Sequence, residues 1–113
     1  MKENVVRHLR DGLGLGPEEI ADIYGVFLHT LSQCLDQLRA AGDPPDFLAV
    51  RAATHTLKGF ARNVGAADLG DAALALNAAA HAGDAEACRC GIRDVESICN
   101  EYRAGTPSAP SQP

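Results

Sequence analysis

Hydrophobic residues recur along this chain at steps of three and four positions, from near its start to about residue 102. This spacing places them on one side of an α-helix, and no stretch shows the alternation typical of a half-buried strand. Glycine and proline divide the pattern into segments. We therefore predict five helices, over residues 2–13, from Pro17 to a stop at Gly42, over 46–64, over 66–82, and from Asp84 to about Tyr102.

The predicted helix boundaries carry recognisable signals. Pro17 suits the first turn of a helix, and the negative charges of Glu18 and Glu19 complement its positive end. Asp84 is a good N-cap residue for the last helix. The stretch 12–16 alternates glycine with leucine and superficially resembles a phosphate-binding loop, but no strand precedes it and a proline follows it. We therefore interpret it as a turn.

Four long helices joined by short connections predict an all-α fold, an antiparallel four-helix bundle with a short extra N-terminal helix. The 113 residues are enough for one domain and too few for two, and we place that domain at residues 1–104. The tail, residues 105–113, has nothing to bury and is predicted to be disordered. Met1 and this tail are the ends that we expect of a free-standing protein.

Charge and hydropathy narrow the classes of function. Ten basic residues against fifteen acidic ones leave a formal net charge of −5, which argues against a sequence-tolerant nucleic-acid binder. No apolar run is long enough to cross a bilayer, and residues 1–10 lack the apolar stretch of a signal peptide. We expect a cytoplasmic protein with no nucleic-acid or membrane partner. A complete ATP-dependent kinase would not fit into this length.

The four cysteines, Cys34, Cys88, Cys90 and Cys99, do not have the spacing of a metal site. They form no CxxC pair and have no histidine at zinc-ligand spacing. Cys88 and Cys90 point to nearly opposite sides of a helix. We predict no metal site and interpret the cysteines as small buried hydrophobic residues in a reducing compartment.

The segment over residues 46–64 separates into two opposed helix faces at about 100° per residue. One face is apolar and must meet the core: Val50, Ala53, Leu57, Phe60, Ala61 and Val64. The opposite face holds His55, Lys58, Gly59 and Arg62. His55 is therefore predicted to stand at the surface, with a lysine one turn further along.

Gly59 lies on the exposed face, where core packing gives no reason for a small residue. A glycine inside a helix costs up to about 1 kcal/mol relative to alanine. At four residues after His55, it removes the side chain that would crowd the imidazole. Neutral imidazole is a nucleophile toward phosphorus, and Lys58 can offset the charge of a transferred phosphoryl group. The pattern favours phosphoryl transfer to His55 over the alternative, a surface histidine without a role.

The stretch His55-Thr56-Leu57-Lys58-Gly59, followed by Ala61, Asn63 and Gly65-Ala66, resembles the signature of histidine-containing phosphotransfer (HPt) domains of two-component phosphorelays. The resemblance extends over residues 17–102, nearly the whole predicted bundle. It implies that His55 accepts the phosphoryl group, that Lys58 stabilises it and that Gly59 provides clearance.

Two positions depart from the family pattern. Many members carry Glu or Gln twenty-two residues after the histidine, where it hydrogen-bonds the other ring nitrogen. That position here is Asn77, which is one methylene shorter and lies on the flank of its helix, so Asn77 is the candidate to orient the imidazole of His55. Phe60 stands where small residues are common. It falls at the edge of the core stripe, and we interpret it as structural.

The surface beside His55 is the candidate docking face for a partner. Leu74, together with the edge of Phe60, could supply the modest apolar patch through which a receiver domain binds a helix pair. Alternatively, Leu74 packs against a neighbour within the bundle. Arg62 is either an electrostatic contact to the partner or a solvated surface charge.

The resemblance implies a phosphocarrier that takes a phosphoryl group from the phospho-aspartate of one receiver domain and passes it to another, in a pathway with a sensor (hybrid) histidine kinase. In this family the receiver supplies the acidic pocket and Mg²⁺, so we expect no cofactor of the chain's own. The alternative is a helical module that binds a kinase or receiver without being phosphorylated. A third, weaker interpretation is a phosphotransfer domain cut from a larger kinase. We expect a monomer, because the closed bundle leaves no large apolar stripe.

Overall fold

A computed structural model describes residues 1–105 and shows a bundle of antiparallel helices. Its elements are α1 (Glu3–Arg7), a π-helical turn (His8–Gly12), α2 (Pro17–Ala40), α3 (Phe47–Val64), α4 (Ala67–His81) and α5 (Ala85–Ala104). No strand occurs in this part of the chain, and the predicted all-α class is confirmed. The predicted disorder of the tail concerns residues that, Gly105 apart, lie outside those described.

Capping residues mark where the helices begin and end, close to the predicted positions. The carboxylate of Asp46 accepts hydrogen bonds from the backbone N–H groups of Leu48 and Ala49, and Asp84 plays the same part at the start of α5. Both aspartates are therefore N-caps, as predicted for Asp84, whereas the helix predicted to begin at Asp46 begins one residue later. α3 ends at Gly65, whose φ of 80° is the left-handed conformation that glycine adopts at helix C-termini.

The core lies where α3 packs between α2 and α4, and α5 closes the bundle against α4 and α2. Each long helix contributes an apolar stripe. The buried residues of α3 are Val50, Ala53, Thr54, Leu57, Ala61 and Val64. Those of α4 are Leu69, Ala73, Leu76 and Ala80. The predicted stripe of α3 is thus buried apart from Phe60, which is half-buried, and it includes one polar residue that the pattern did not single out.

Aromatic packing ties α2 to its neighbours. The ring of Phe27 makes edge contacts with Tyr24 and Tyr102, at centroid distances of 5.9 and 5.3 Å. It also stacks on Phe60 of α3 at 6.0 Å. Phe60 therefore contributes to the contact between α2 and α3, in keeping with the structural interpretation of this residue.

The N-terminal segment is built into one end of the bundle, because Val5 and Leu9 are almost completely buried. The single helix predicted over residues 2–13 is wrong in its geometry, since α1 changes into a π-helical turn at His8. Turns of α and π type differ by less than one residue per turn, so apolar spacing over so short a segment does not distinguish them.

Hydrogen bonds hold this segment to α2, α4 and α5. The backbone N–H of Lys2 donates to the Tyr24 hydroxyl at 3.1 Å, and the side-chain amide of Asn4 donates to the Tyr102 hydroxyl at 2.7 Å. The Tyr102 hydroxyl in turn donates to the carboxylate of Asp68. The N-terminal residues and the ends of three long helices thus share one polar network.

The cysteines differ in exposure. Cys34, Cys88 and Cys99 are buried, whereas Cys90 is exposed, so the prediction of burial is wrong for Cys90. The reason is helical geometry: a residue two positions after the buried Cys88 points away from the core. Burial raises the pKa of the Cys99 thiol to about 12. Among residues 1–105, no group of three or more histidine, cysteine or carboxylate side chains could hold a metal ion.

Polar side chains interrupt the long helices of the bundle. Even α4, the most alanine-rich of them, carries Asp68, Asp71 and Asn77. Within the described residues, no helix is long and apolar enough to cross a membrane.

Candidate functional site

His55 lies near the middle of α3 with its side chain exposed. Its orientation follows from Val50, Leu57 and Ala61, which are fully buried on the opposite face of the same helix. The packing of α3 against α2 and α4 keeps this face directed outward. The imidazole is therefore accessible to a second protein, as the sequence predicts.

A recess of about 220 Å³ lies between α3 and α4, beside the C-terminal half of α3. Lys58 and Arg62 line it from α3, and Leu74 lines it from α4. Small residues, among them Gly65 and Gly70, account for much of the remaining lining. The absence of larger side chains from the seam leaves this open space next to the predicted phosphate-stabilising lysine.

The outward side of α3 is positively charged although the chain as a whole is acidic. Helix α3 carries Arg51, Lys58 and Arg62 and contains no aspartate or glutamate. None of these three side chains forms a salt bridge within residues 1–105. Lys2, the other lysine, is paired with Asp68 at 3.7 Å and with a glutamate of α5 at 3.3 Å. The cations beside His55 thus remain available for a negatively charged group.

Gly59 lies on the exposed face, four residues from His55, as predicted. A Cβ atom built at this position would have no heavy atom within 4 Å outside its own helical backbone. The same holds for Gly25 on α2, which is also exposed. Neither glycine is required by packing within the described chain.

Asn77 is half-buried at the seam between α3 and α4 and contacts the residue before His55. The Oγ1 atom of Thr54 lies 3.2 Å from Oδ1 of Asn77. Within residues 1–105 we find no hydrogen bond between Asn77 and His55, so the orienting role of Asn77 stays a prediction. Thr54 was missed as a functional candidate. The signal was its place on the core side of α3, four residues after Val50 and three before Leu57.

Leu74 and Phe60 occupy different sides of α3. Leu74 of α4 is 51% exposed and lines the recess between α3 and α4, so much of its side chain is not packed within the bundle. Phe60 is half-buried and stacks on Phe27, toward α2. Phe60 does not line the recess that Leu74 lines, and the docking patch of Leu74 with the edge of Phe60 stays a prediction.

The sequence of the chain matches the model of a known protein family. The family model of the Hpt domain matches residues 22–105, which include His55, Lys58 and Asn77. No curated protein and no solved structure matches the chain. The Hpt domain indicates phosphotransfer in two-component signalling and interaction with receiver domains and histidine kinases. Because the match spans well over half of a chain that folds as an all-α bundle, this protein belongs to the Hpt domain family.

Proposed function

We propose that this protein is a phosphocarrier in which His55 accepts a phosphoryl group from the phospho-aspartate of one receiver domain and passes it to another. The observation that carries the proposal is the open space at Gly59. This glycine stands four residues from an exposed imidazole, and a Cβ atom there would contact nothing else in the described chain. Gly25 has similar open space, but Gly59 is the one of the two that lies a turn from an exposed histidine, and we infer that its clearance serves a partner that approaches His55.

The transfer is a displacement at phosphorus. The lone pair of Nε2 of His55 forms the N–P bond while the P–O bond to the aspartyl carboxylate breaks, and the electron pair of that bond leaves with the carboxylate. The ring keeps its proton on Nδ1, so positive charge develops on the imidazole as the bond forms. Transfer to the second receiver reverses these steps.

Lys58 stabilises the transferred group. It follows His55 by three residues on α3, which places the two side chains on adjacent turns of one face. Lys58 as a residue is half-buried, and its ammonium has no ion-pair partner within residues 1–105, so it can interact with phosphoryl oxygens without first breaking an internal salt bridge. Such preorganised charge contributes more than a charge that must be rearranged.

The receiver domain docks across α3 and α4. The acid-free face of α3 complements a phosphorylated, acidic partner, with Arg62 as an electrostatic contact and Leu74 as an apolar one.

We expect the carrier to act as a cytoplasmic monomer. Its large exposed hydrophobic side chains within residues 1–105 are distributed over separate elements: Leu13, Val26, Leu48 and Leu74, with Met1 at the margin.

The direct test mixes the protein with a phosphorylated receiver domain and records the intact mass of the wild type and of His55→Gln. We expect the wild type alone to gain one acid-labile phosphoryl group. Binding of both proteins to the receiver is measured in parallel.

The alternative function, a module that binds a receiver or kinase without being phosphorylated, has a different outcome. In that case no phosphoryl group appears on the wild type with any receiver of a panel, while His55→Gln binds the receivers as tightly as the wild type does. That result would overturn the phosphocarrier proposal.

A further inference from the structure

Thr54 is the one polar residue that is fully buried within residues 1–105, and it directly precedes His55. A buried hydroxyl is costly unless it is hydrogen-bonded. Its partners therefore decide what the residue does. They are the carbonyl oxygen of Arg51, one turn earlier on α3, at 3.0 Å and the side-chain amide of Asn77 on α4 at 3.2 Å.

A threonine hydroxyl has a single proton and cannot donate to both partners at once. The carbonyl oxygen of Arg51 can only accept a hydrogen bond. When both hydrogen bonds form together, the Thr54 hydroxyl therefore donates its proton to Arg51. The amide of Asn77 must then donate. Rotation of the amide by about 180° around the Cβ–Cγ bond of Asn77 exchanges Oδ1 with Nδ2. The 3.2 Å contact then becomes a hydrogen bond that Nδ2 of Asn77 donates to Oγ1 of Thr54.

This arrangement frees the acceptor end of the Asn77 amide. With Nδ2 bonded to the buried hydroxyl, Oδ1 is directed away from Thr54. Asn77 is half-buried on α4, and the residue that it contacts on α3, Thr54, directly precedes His55. A carbonyl oxygen there has the polarity needed to accept the Nδ1–H of an imidazole.

We propose that Thr54 is a positioning residue that acts on His55 through Asn77. Its hydroxyl selects the amide orientation in which Oδ1 accepts the Nδ1 proton of His55, and this leaves Nε2 unprotonated as the atom that attacks phosphorus. The role of the attacking atom rests on the proposed phosphocarrier function, but the tautomer itself is a property of the unphosphorylated protein.

The test compares Thr54→Val with Thr54→Ser. Valine keeps the shape and removes the hydroxyl, whereas serine keeps the hydroxyl. The control is Thr56→Val, because Thr56 flanks His55 on its other side and is exposed. The first readout is the tautomer of His55, taken from ¹⁵N NMR shifts of the ring nitrogens. The second is the rate of phosphoryl transfer from a phosphorylated receiver.

We expect the Nδ1–H tautomer to dominate in the wild type, Thr54→Ser and Thr56→Val, and to become mixed in Thr54→Val. The transfer rate of Thr54→Val should fall about tenfold, by analogy with the low end of the loss when a metal-bound histidine loses its hydrogen-bond partner. Thr54→Val combined with Asn77→Ala should be no slower than Asn77→Ala alone, because the first residue acts through the second.

Two outcomes overturn the proposal: an unchanged tautomer in Thr54→Val, or additive losses in the double variant. Either would leave the Thr54–Asn77 contact as a structural link between α3 and α4. Failure of the phosphocarrier proposal looks different. The wild type would then gain no phosphoryl group, while the NMR comparison would still report whether Thr54 controls the tautomer.

Discussion

At the scale of single residues, Gly59 shows a conflict between folding and function. A glycine inside a helix is less favourable than alanine, and no neighbour of Gly59 would obstruct a methyl group. We expect Gly59→Ala to raise the free energy of unfolding by about 0.5–1 kcal/mol while lowering the rate of phosphoryl transfer. Urea denaturation and a transfer assay measure the two effects.

Gly25→Ala is the matched control for this prediction. Gly25 is also exposed within a long helix and has no neighbour within 4 Å of an added Cβ. It lies on α2, outside the seam between α3 and α4. The stability gain should be similar and the transfer rate unchanged. If Gly59→Ala and Gly59→Leu both leave the transfer rate unchanged, as Gly25→Ala should, Gly59 does not provide clearance for the partner.

The two lysines of the chain allow a similar comparison of charge. Lys58→Gln removes the cation beside His55, and we expect a loss of about 10²-fold in the transfer rate, the order found when one preorganised charge-stabilising group is deleted. Lys2→Gln removes two partly exposed salt bridges and the contact of the ammonium with the Tyr102 ring, and it should cost about 1–2 kcal/mol of stability, with no change in transfer. Equal transfer rates for the two variants would contradict the role given to Lys58.

At the scale of helices, most of the fold could be predicted because several independent signals agree. In α3 the apolar period and the glycine at position 65 indicate bounds that differ from the observed ones by one residue, because Asp46 caps the helix instead of opening it. The placement of His55 on the outer face followed from that period. What the period of one helix does not contain is the register between two helices. The contact between Thr54 and Asn77 depends on how α3 lies against α4, and for this reason it was missed.

Gly65 shows how the end of α3 is coupled to the N-terminal segment. Its φ of 80° disfavours any residue with a Cβ, and an added Cβ would lie 2.4 Å from Cβ of His8. We expect Gly65→Ala to lower the free energy of unfolding by more than the roughly 1–3 kcal/mol that backbone strain alone costs. Chemical denaturation followed by circular dichroism measures the loss.

Gly14→Ala separates the backbone effect from the steric one. Gly14 has a φ of 70°, but no neighbour lies within 4 Å of an added Cβ. This variant should therefore show the cost of strain without that of the clash. A loss for Gly65→Ala no larger than that for Gly14→Ala would mean that His8 moves aside without cost.

At the scale of the whole molecule, the N-terminal segment packs into the same core as the family-matched bundle. The match begins at residue 22, yet Val5 and Leu9 are part of the core and Asn4 donates to the hydroxyl of Tyr102. Tyr102 links the segment to α4 through its bond to Asp68. The ionisation of this tyrosine should therefore be coupled to the stability of the entire fold.

The expected consequence is a loss of stability at alkaline pH. Burial, and then the hydrogen bond to Asp68, raise the pKa of Tyr102 above its ordinary value of about 10. Above that pH the unfolded chain releases the phenolic proton while the folded protein keeps it, so the free energy of unfolding falls as pH rises toward the folded-state pKa. Buried thiols such as Cys99, whose pKa is raised to about 12, act in the same direction. Urea denaturation between pH 8 and 11 should show this decline, with a shallower slope for Tyr102→Phe. Equal slopes for the two proteins would show that Tyr102 is not the coupling residue.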